Sequence, residues 1–243
     1  MDRRIYLSMG GAKATMQRQE LLSNNLANVS TNGFRAEMQA FRAVPVRGDG
    51  ATTRAYALET TVGYNPEAGV VSATSRNLDV AMRGNAWLAV QARDGTEAYT
   101  RAGSLDIAND GTLVNRSGLS VLGDGGPITA PANSELQIAS DGSITARAPN
   151  GSLTPVGRLK LVTPEAPLQR GDDGLFRTAS GDPMPNDAAA RMLSGALEGS
   201  NVNPVESMVG MIAASRQFEQ QMRLLQTAET NDKSAAQLLS LNG

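Results

Sequence analysis

Residues 23–35 read SNNLANVSTNGFR, and this stretch decides how the chain is organised because a helical pattern ends inside it. Residues 3–32 carry the apolar repeat of a helix, and residues 200–241 at the other end of the chain carry a second one. Between them, short strand-like runs are separated by glycines. Because the two ends match each other and neither matches the middle, the pattern favours a polymerising subunit over an enzyme.

The first helix is predicted to carry a heptad-like apolar seam. Its members recur at alternating spacings of four and three, a period near 3.5 that favours left-handed packing against another helix. Asp2 is the expected N-cap, and Asn32-Gly33 is the expected helix stop. The seam consists of Ile5, Met9, Ala12, Met16, Gln19, Leu22 and Leu26.

Three asparagines, Asn24, Asn25 and Asn28, lie late in this helix. Asparagine is a poor helix former because its amide competes for backbone hydrogen bonds. Asn24 and Asn28 are four residues apart, on the face opposite Leu22 and Leu26. One interpretation is an exposed, fraying helix end. The favoured interpretation is a second packed face whose amides bind neighbouring chains.

The last helix has a clear predicted start. Asn203 is the N-cap, Pro204 takes the first helical position, and Glu206 completes a pattern like a capping box. Its seam is apolar in the early half and mixed with acids later, which suits a helix that faces several different neighbours. The apolar positions on or beside this seam are Val205, Met208, Val209, Ile212, Phe218, Met222, Leu225, Ala236 and Leu239.

Asp-Gly pairs separate the strand-like runs in the middle of the chain. Type I′ hairpin turns need positive φ at both central residues, so Asp-Gly is a strong hairpin signal. Predicted strands include residues 87–90, 119–122, 135–138 and 158–162, with Trp87 as the one large core anchor. The pairs are Asp94-Gly95, Asp110-Gly111, Asp124-Gly125, Asp141-Gly142 and Asp173-Gly174.

These patterns predict an α+β fold in which the N- and C-terminal helices pack as a coiled-coil-like element with an inserted all-β domain of short hairpins. The predicted segments follow the chain. Residues 1–34 form the N-terminal helix, residues 35–77 an extended linker with short strands, residues 78–185 the all-β domain, and residues 186–243 a return strand and the long C-terminal helix.

Composition argues against catalysis. The chain has no histidine and no cysteine, which removes His general bases, Cys nucleophiles and zinc fingers. A net charge of −2 gives no basic footprint for nucleic acid. Residues 106–111 have the spacing of half a calcium loop, but Ala108 occupies a ligand position, so a strand and a turn are expected. No catalytic residue, cofactor or metal is predicted.

The sequence also predicts no membrane anchor. No apolar run approaches the roughly 20 residues that span a bilayer. Lys13 and Gln17 interrupt the N-terminal stretch before the apolar core of a signal peptide can form. We therefore expect neither a cleaved signal peptide nor direct membrane insertion.

Several motifs resemble one protein family. Residues 23–35 resemble the N-terminal signature shared by the rod and hook proteins of the bacterial flagellum. The motifs LEGSNVN, MI and RQFE within residues 197–219 resemble their C-terminal signature, and residues 78–84 and 98–105 resemble their β-domain motifs. Trp87-Leu88 departs from the family pattern, which more often has paired phenylalanines, but it keeps the volume and apolarity of the site.

The resemblance implies a structural subunit of the flagellar basal-body rod, and the opening residues 1–13 resemble its proximal-rod branch. Such a subunit polymerises helically through its terminal helices to form the hollow drive shaft needed for motility. The implied partners are other copies of itself, the other proximal and distal rod proteins, and the flagellar type III export apparatus. The implied location is the periplasm-spanning rod. The distal-rod branch and a secreted coiled-coil effector remain as alternatives.

Polymerisation through the terminal helices would place the assembly interface on their apolar seams and on the asparagine face. The expected interface residues are Ile5, Met9, Met16, Leu22, Asn24, Asn25, Leu26, Asn28, Val205, Met208, Ile212, Phe218, Met222 and Leu225.

Overall fold

The computed structural model describes residues 2–45 and 55–240. Within them the chain forms two long helices, α1 (Asp2–Ala27) and α2 (Pro204–Ser240), with eighteen short strands between. The strands are β1 Glu37–Pro45, β2 Ala55–Tyr64, β3 Val71–Ala73, β4 Val80–Met82, β5 Trp87–Gln91, β6 Glu97–Thr100, β7 Leu105–Ile107, β8 Leu113–Asn115, β9 Leu122–Gly123, β10 Gly126–Pro127, β11 Glu135–Ile138, β12 Ser143–Arg147, β13 Leu153–Arg158, β14 Leu161–Val162, β15 Gln169–Arg170, β16 Phe176–Arg177, β17 Met192–Ser194 and β18 Ala196–Glu198.

The chain folds into two compact units. The helical unit contains α1, the β1–β2 hairpin and α2, while the β unit contains Ser30–Ala36 and Asn65–Asn201. The chain therefore passes between the units at four places, which follow residues 29, 36, 64 and 201.

In the helical unit, α1 packs against α2, and the hairpin packs against α1. The helices meet through small residues. A Cβ built on Gly210 would lie 3.1 Å from Leu22 Cδ1, and one on Gly11 would lie 3.0 Å from the Gln221 side chain. Glycine at such points lets two helix backbones approach closely.

The predicted coiled-coil-like element is wrong. Met9 and Met16 of the first seam, and Val205, Met208 and Ile212 of the second, are exposed and do not form a helix–helix seam in this chain. Apolar periodicity marked faces of the helices correctly, but it did not show what covers them.

The prediction that one all-β domain of short hairpins is inserted between the helices is also wrong. The long β1–β2 hairpin belongs to the helical unit, while residues 30–36 belong to the β unit. Within the β unit, strands that are distant in sequence pair with each other: β17 pairs with β4, and β18 pairs with β3. Two terminal helices and many antiparallel strands are present, but the arrangement is not a helical pair with one run of hairpins inserted between its members.

Two predictions from the sequence concern the ends of the helices. The N-cap of α2 is confirmed, because Asn203 Oδ1 accepts hydrogen bonds from the N–H groups of Val205 (3.1 Å) and Glu206 (3.3 Å). The predicted stop of α1 at Asn32-Gly33 is wrong, since the helix ends at Ala27. The chain then runs through turns to Gly33, whose φ is +70°.

The β unit is built around a five-stranded sheet in the order β14-β5-β6-β16-β15. Trp87 is confirmed as a core anchor: it is fully buried, and its ring lies 4.6 Å from that of Phe176. The strands predicted at residues 87–90 and 135–138 are confirmed as β5 and β11, and residues 105–111 form the expected strand followed by a turn.

The Asp-Gly pairs do mark turns, but the predicted turn type is wrong. In four of the five pairs the glycine has positive φ, at Gly95, Gly111, Gly142 and Gly174. Among described non-glycine residues, positive φ occurs at Ser75 and Asn133, and so not at these aspartates. Hydrogen bonds such as Gly95 N–H to Ala92 O (2.9 Å) therefore close type I turns followed by a left-handed glycine, the three-residue hairpin loop.

In these turns the aspartate carboxylate accepts a hydrogen bond from the N–H group two residues later. The distance is 2.9 Å from Thr96 N to Asp94 Oδ1 and 3.0 Å from Ser143 N to Asp141 Oδ1. Such bonds are local and favour the ionised carboxylate. The sequence therefore placed the turns correctly, and the side-chain hydrogen bond explains why aspartate precedes the glycine.

Candidate assembly surface

The first turns of α2 carry an exposed apolar stripe, which we call the α2 stripe: Val205, Met208, Val209 and Ile212. Their exposed fractions are 67%, 50%, 61% and 56%. The spacing of three, four and seven residues places them on one helix face. Contiguous apolar patches on soluble proteins commonly mark sites of protein interaction.

Opposite residues show that the α2 stripe faces away from the packed side of its helix. Ser207 and Ala214 lie seven residues apart and are both buried. Ser207 also donates a hydrogen bond from Oγ to the Asn203 carbonyl (2.9 Å), which satisfies its hydroxyl inside the helix. The helix is therefore amphipathic in an unusual sense: small residues line its packed face, and larger apolar residues face solvent.

The helix α1 also exposes large side chains and buries small ones. Tyr6, Met9 and Met16 are exposed at 61%, 53% and 49%, while Ala12 and Thr15 are buried. Small side chains suffice where one helix packs closely on another. The larger exposed side chains would gain the most from a further partner, because apolar burial contributes about 25 cal/mol per Å².

The structure separates the predicted interface residues into four groups. The exposed ones are Met9, Met16, Asn24, Val205, Met208, Ile212 and Met222. The half-buried ones are Leu22, Leu26, Asn28, Phe218 and Leu225. Asn25 is buried. Ile5 lies in α1, but its side chain is outside the described part of the structure. The sequence prediction missed the exposed Tyr6 and Leu224, since neither fits the seam.

The asparagines at and just after the end of α1 bind groups of this chain. Asn25 forms a reciprocal pair with the backbone of Glu37: its Nδ2 donates to Glu37 O (3.0 Å), and its Oδ1 accepts from Glu37 N (2.8 Å). Asn24 Nδ2 donates to Glu37 Oε1 (3.1 Å), and Asn28 Nδ2 donates to Asn24 Oδ1 (2.8 Å). These amides therefore join α1 to the start of β1, a role that the sequence interpretation did not foresee.

In the β unit, a buried ion cluster joins three segments of the chain: Arg35, Arg101 and Glu198. Arg35 Nη2 lies 3.0 Å from Glu198 Oε1, and Arg101 contacts Glu198 Oε2 through Nε (2.7 Å) and Nη2 (2.5 Å). All three side chains are at most 2% exposed. One carboxylate thus binds two guanidinium groups away from water.

The remaining donors of Arg101 are also used. They bind the carbonyl oxygens of Met82 (2.9 Å), Gly84 (3.0 Å) and Ala86 (2.7 Å). Its guanidinium carbon lies 5.8 Å from the centre of the Trp87 ring. A planar group with five donors suits this position better than a lysine would. The sequence analysis did not identify this cluster, although its members lie in the three family-like motifs.

The described groups whose pKa is clearly shifted are in contact with other side chains or backbone groups of the protein. Burial raises the pKa of Tyr99, whose hydroxyl donates to Glu97 Oε1 (2.8 Å) and accepts from Met184 N (2.6 Å). The side chain of Thr96 lowers the pKa of Asp94 below its usual value, and Arg177 does the same for Asp173. Across residues 2–45 and 55–240, no group of acidic side chains is arranged to hold a metal ion.

Neither α1 nor α2, the helices of the described residues, is long and apolar enough to cross a membrane.

Three family models match the chain. Residues 5–35 match the flagella basal body rod protein model, residues 81–146 match the flagellar hook protein FlgE/F/G D1 domain, and residues 193–238 match the flagellar basal body rod FlgEFG protein C-terminal model. The first and last matches include the exposed faces of α1 and α2, and together the three include every member of the ion cluster.

Full-length relatives agree with these matches. The chain is 46% identical to the flagellar basal-body rod protein FlgF of Salmonella typhimurium and 44% identical to that of Escherichia coli, in each case over the whole of both chains. It is 30% identical to the rod protein FlgG of Bacillus subtilis, over 94% of this chain and 96% of that protein. This chain therefore belongs to the flagellar basal-body rod protein family, and it is a structural component of the rod and not an enzyme.

Proposed function

We propose that this chain polymerises helically through the exposed apolar faces of α1 and α2, in the proximal part of the rod where FlgF proteins act. The α2 stripe is the observation that carries the proposal. Four large apolar side chains on one face of a helix are at least half exposed, although the same helix buries serine and alanine. In an assembled rod, neighbouring subunits would cover this face.

The proposed partners are other copies of this chain, the other rod proteins, and the export apparatus that delivers subunits to the growing rod. The proposed location is the periplasm-spanning rod. Identity of 46% and 44% to two FlgF proteins, against 30% to a FlgG protein, supports the proximal branch over the distal one. The family assignment removes the secreted-effector alternative.

The branch can be tested by complementation. Expression of this chain in a Salmonella strain that lacks its own FlgF should restore swimming. Expression in a strain that lacks FlgG should not. Rescue of the second strain and not the first would assign the chain to the distal branch.

The assembly surface can be tested with the double substitution Met208→Gln and Ile212→Gln. Glutamine keeps the helix propensity of α2 but removes the apolar surface of the stripe. We expect a soluble protein with a folded β unit, shown by the near-ultraviolet signal of Trp87, that no longer restores swimming. Met208 and Ile212 are exposed, so the substitution removes little buried packing within the subunit.

Leu224→Gln is the matched control. Leu224 is 56% exposed on α2, as Ile212 is, but it lies on a different face from the stripe. We expect this variant to swim. Normal swimming of the double variant would contradict the proposal, and so would equal loss in both variants, since that would indicate a general effect on the helix.

A further inference from the structure

One side chain in the β unit joins three separate segments of that unit. Asn201 Oδ1 accepts a hydrogen bond from Ala36 N (2.7 Å), and its Nδ2 donates to Asn65 O (3.1 Å) and Glu67 O (2.8 Å). Ala36 precedes β1, Asn65 follows β2, and Asn201 itself lies shortly before α2.

The segments joined by Asn201 are held in place by further buried contacts. Gly33 N donates to the Glu198 carbonyl (2.8 Å), and Gly69 N donates to Glu198 Oε1 (3.1 Å). A Cβ on Gly69 would lie only 2.1 Å from the Gly199 oxygen, so these backbones are in close contact. Asn201 therefore acts from a fixed position and not from a mobile loop.

The contacts of Asn201 include the base of the β1–β2 hairpin. Asn65 N donates to Ala36 O (2.8 Å), and the ladder continues from there with Glu37 opposite Tyr64. The hairpin is a separate two-stranded sheet, and it contains a register shift between Ala40 and Phe41. The register of such a ribbon is weakly specified by its own strands, and a slip of one residue turns every side chain to the other face.

We propose that Asn201 sets the register of the β1–β2 hairpin by fixing Ala36 opposite Asn65, and that it is thereby a positioning residue for this hairpin. The expected effect on swimming rests on the proposed rod function, whereas the expected effect on the hairpin register does not. An asparagine is needed because one group must accept a hydrogen bond from Ala36 N while another donates to two carbonyl oxygens. An aspartate has the same shape but lacks the donors, and its charge would face those two oxygens.

The test is a register measurement with Asn201→Asp. Because the chain has no cysteine, pairs of introduced cysteines report only on the positions chosen. Gln39 and Val62 are directly opposite in the observed register, so Gln39→Cys with Val62→Cys should form a disulfide under mild oxidation. Gln39→Cys with Thr61→Cys should form one only after a slip, since neighbouring residues point to opposite faces.

In the otherwise unchanged chain we expect the Gln39/Val62 pair to cross-link and the Gln39/Thr61 pair not to. Asn201→Asp should slow the first reaction about tenfold and make the second detectable, in line with the loss of two hydrogen bonds. Hydrogen exchange at the amide of Asn65, which donates to Ala36 O at the base of the hairpin, should accelerate by about tenfold. Swimming should be reduced.

Asn203→Asp is the matched control. Asn203 lies two residues away and caps α2, a position where aspartate works as well as asparagine. We expect wild-type cross-linking and swimming from it. Asn201→Ala removes the contacts with Asn65 O and Glu67 O and also the hydrogen bond from Ala36 N, without adding charge, and it should change the cross-linking in the same direction.

An unchanged cross-linking pattern in Asn201→Asp would overturn the proposal, whatever the strain's swimming. Unfolding of the whole β unit in both the Asp and Ala variants, seen in the signal of Trp87, would also overturn it, because Asn201 would then be a general stability contact. Failure of the wild-type chain to restore swimming would contradict the rod function instead, and the cross-linking result would stand separately.

Discussion

The buried ion cluster allows a quantitative prediction about Glu198→Gln. In the native protein the Glu198 carboxylate binds Arg35 at 3.0 Å and Arg101 at 2.7 and 2.5 Å, with all three side chains excluded from water. Glutamine keeps the size of the side chain but removes its charge. One of its two terminal atoms also becomes a donor that faces the donors of an arginine. The substitution therefore leaves two buried cations without a counter-charge.

Removing one partner of a buried ion pair costs about 3–5 kcal/mol in unfolding free energy. For a domain of the size of the β unit, each kcal/mol lowers the melting temperature by about 2–4 °C. A cost of about 4 kcal/mol then corresponds to a decrease of about 8–16 °C. The fluorescence of Trp87, the only tryptophan, reports on this region directly, since Arg101 lies against its ring.

Asp106→Asn provides the control for this measurement. The ion pair of Asp106 with Arg76 (3.4 Å) lies in the same unit, but its side chains are 62% and 44% exposed. Solvent screens such pairs, and their loss costs at most about 1 kcal/mol. We expect a decrease of the melting temperature of about 4 °C or less. If Glu198→Gln shifts the melting temperature no more than Asp106→Asn does, the buried cluster does not stabilise the β unit as argued.

Two further predictions concern glycine and aspartate in the β unit. In urea unfolding, Gly33→Ala should destabilise the protein more than Gly95→Ala does. Both glycines have positive φ, +70° and +83°. A Cβ on Gly33 would lie 2.2 Å from the Arg101 carbonyl carbon, whereas a Cβ on Gly95 would meet no atom within 4 Å. The strain of an alanine in the left-handed conformation is about 1–2 kcal/mol at either site. If the two substitutions lower the free energy of unfolding equally, the backbone around Gly33 can move to accept a Cβ at no further cost. Backbone and side-chain hydrogen bonds from Ser143 lower the pKa of Asp141 below 3.8, so its contribution to stability is complete above that pH and is lost as the pH falls through the lowered value. Asp141→Asn should therefore shift the urea midpoint more at about pH 6 than at about pH 2, and an equal shift at both pH values would assign the effect to something other than this carboxylate.

Local signals in the sequence were sufficient for local structure. Asn203 and Pro204 located the start of α2 because an N-cap depends on contacts within one helical turn. Glycines after aspartates located the turns for the same reason. The end of α1 was placed too late, since the helix ends at Ala27 and residues 28–33 form turns and a bend.

The candidate site was predicted in part. Met9, Met208 and Ile212 were recognised as members of apolar faces, and the structure places them on exposed ones. The sequence interpretation packed these faces against each other, because large apolar residues normally lie inside. In this chain the contact between the helices uses small residues such as Gly11 and Gly210 instead. Sequence periodicity does not distinguish an apolar face that is covered within the chain from one that awaits a partner.

The sequence by itself determined that both termini are helical, that a glycine-punctuated β region lies between them, and that the chain carries the motifs of rod proteins. These properties depend on residues close together in the chain. Tertiary structure alone decided that Arg35 shares Glu198 with Arg101, and that Asn201 bonds both Ala36 and Asn65. With 22 basic and 24 acidic residues, many ion pairs are possible, and none can be chosen until the fold removes particular side chains from water.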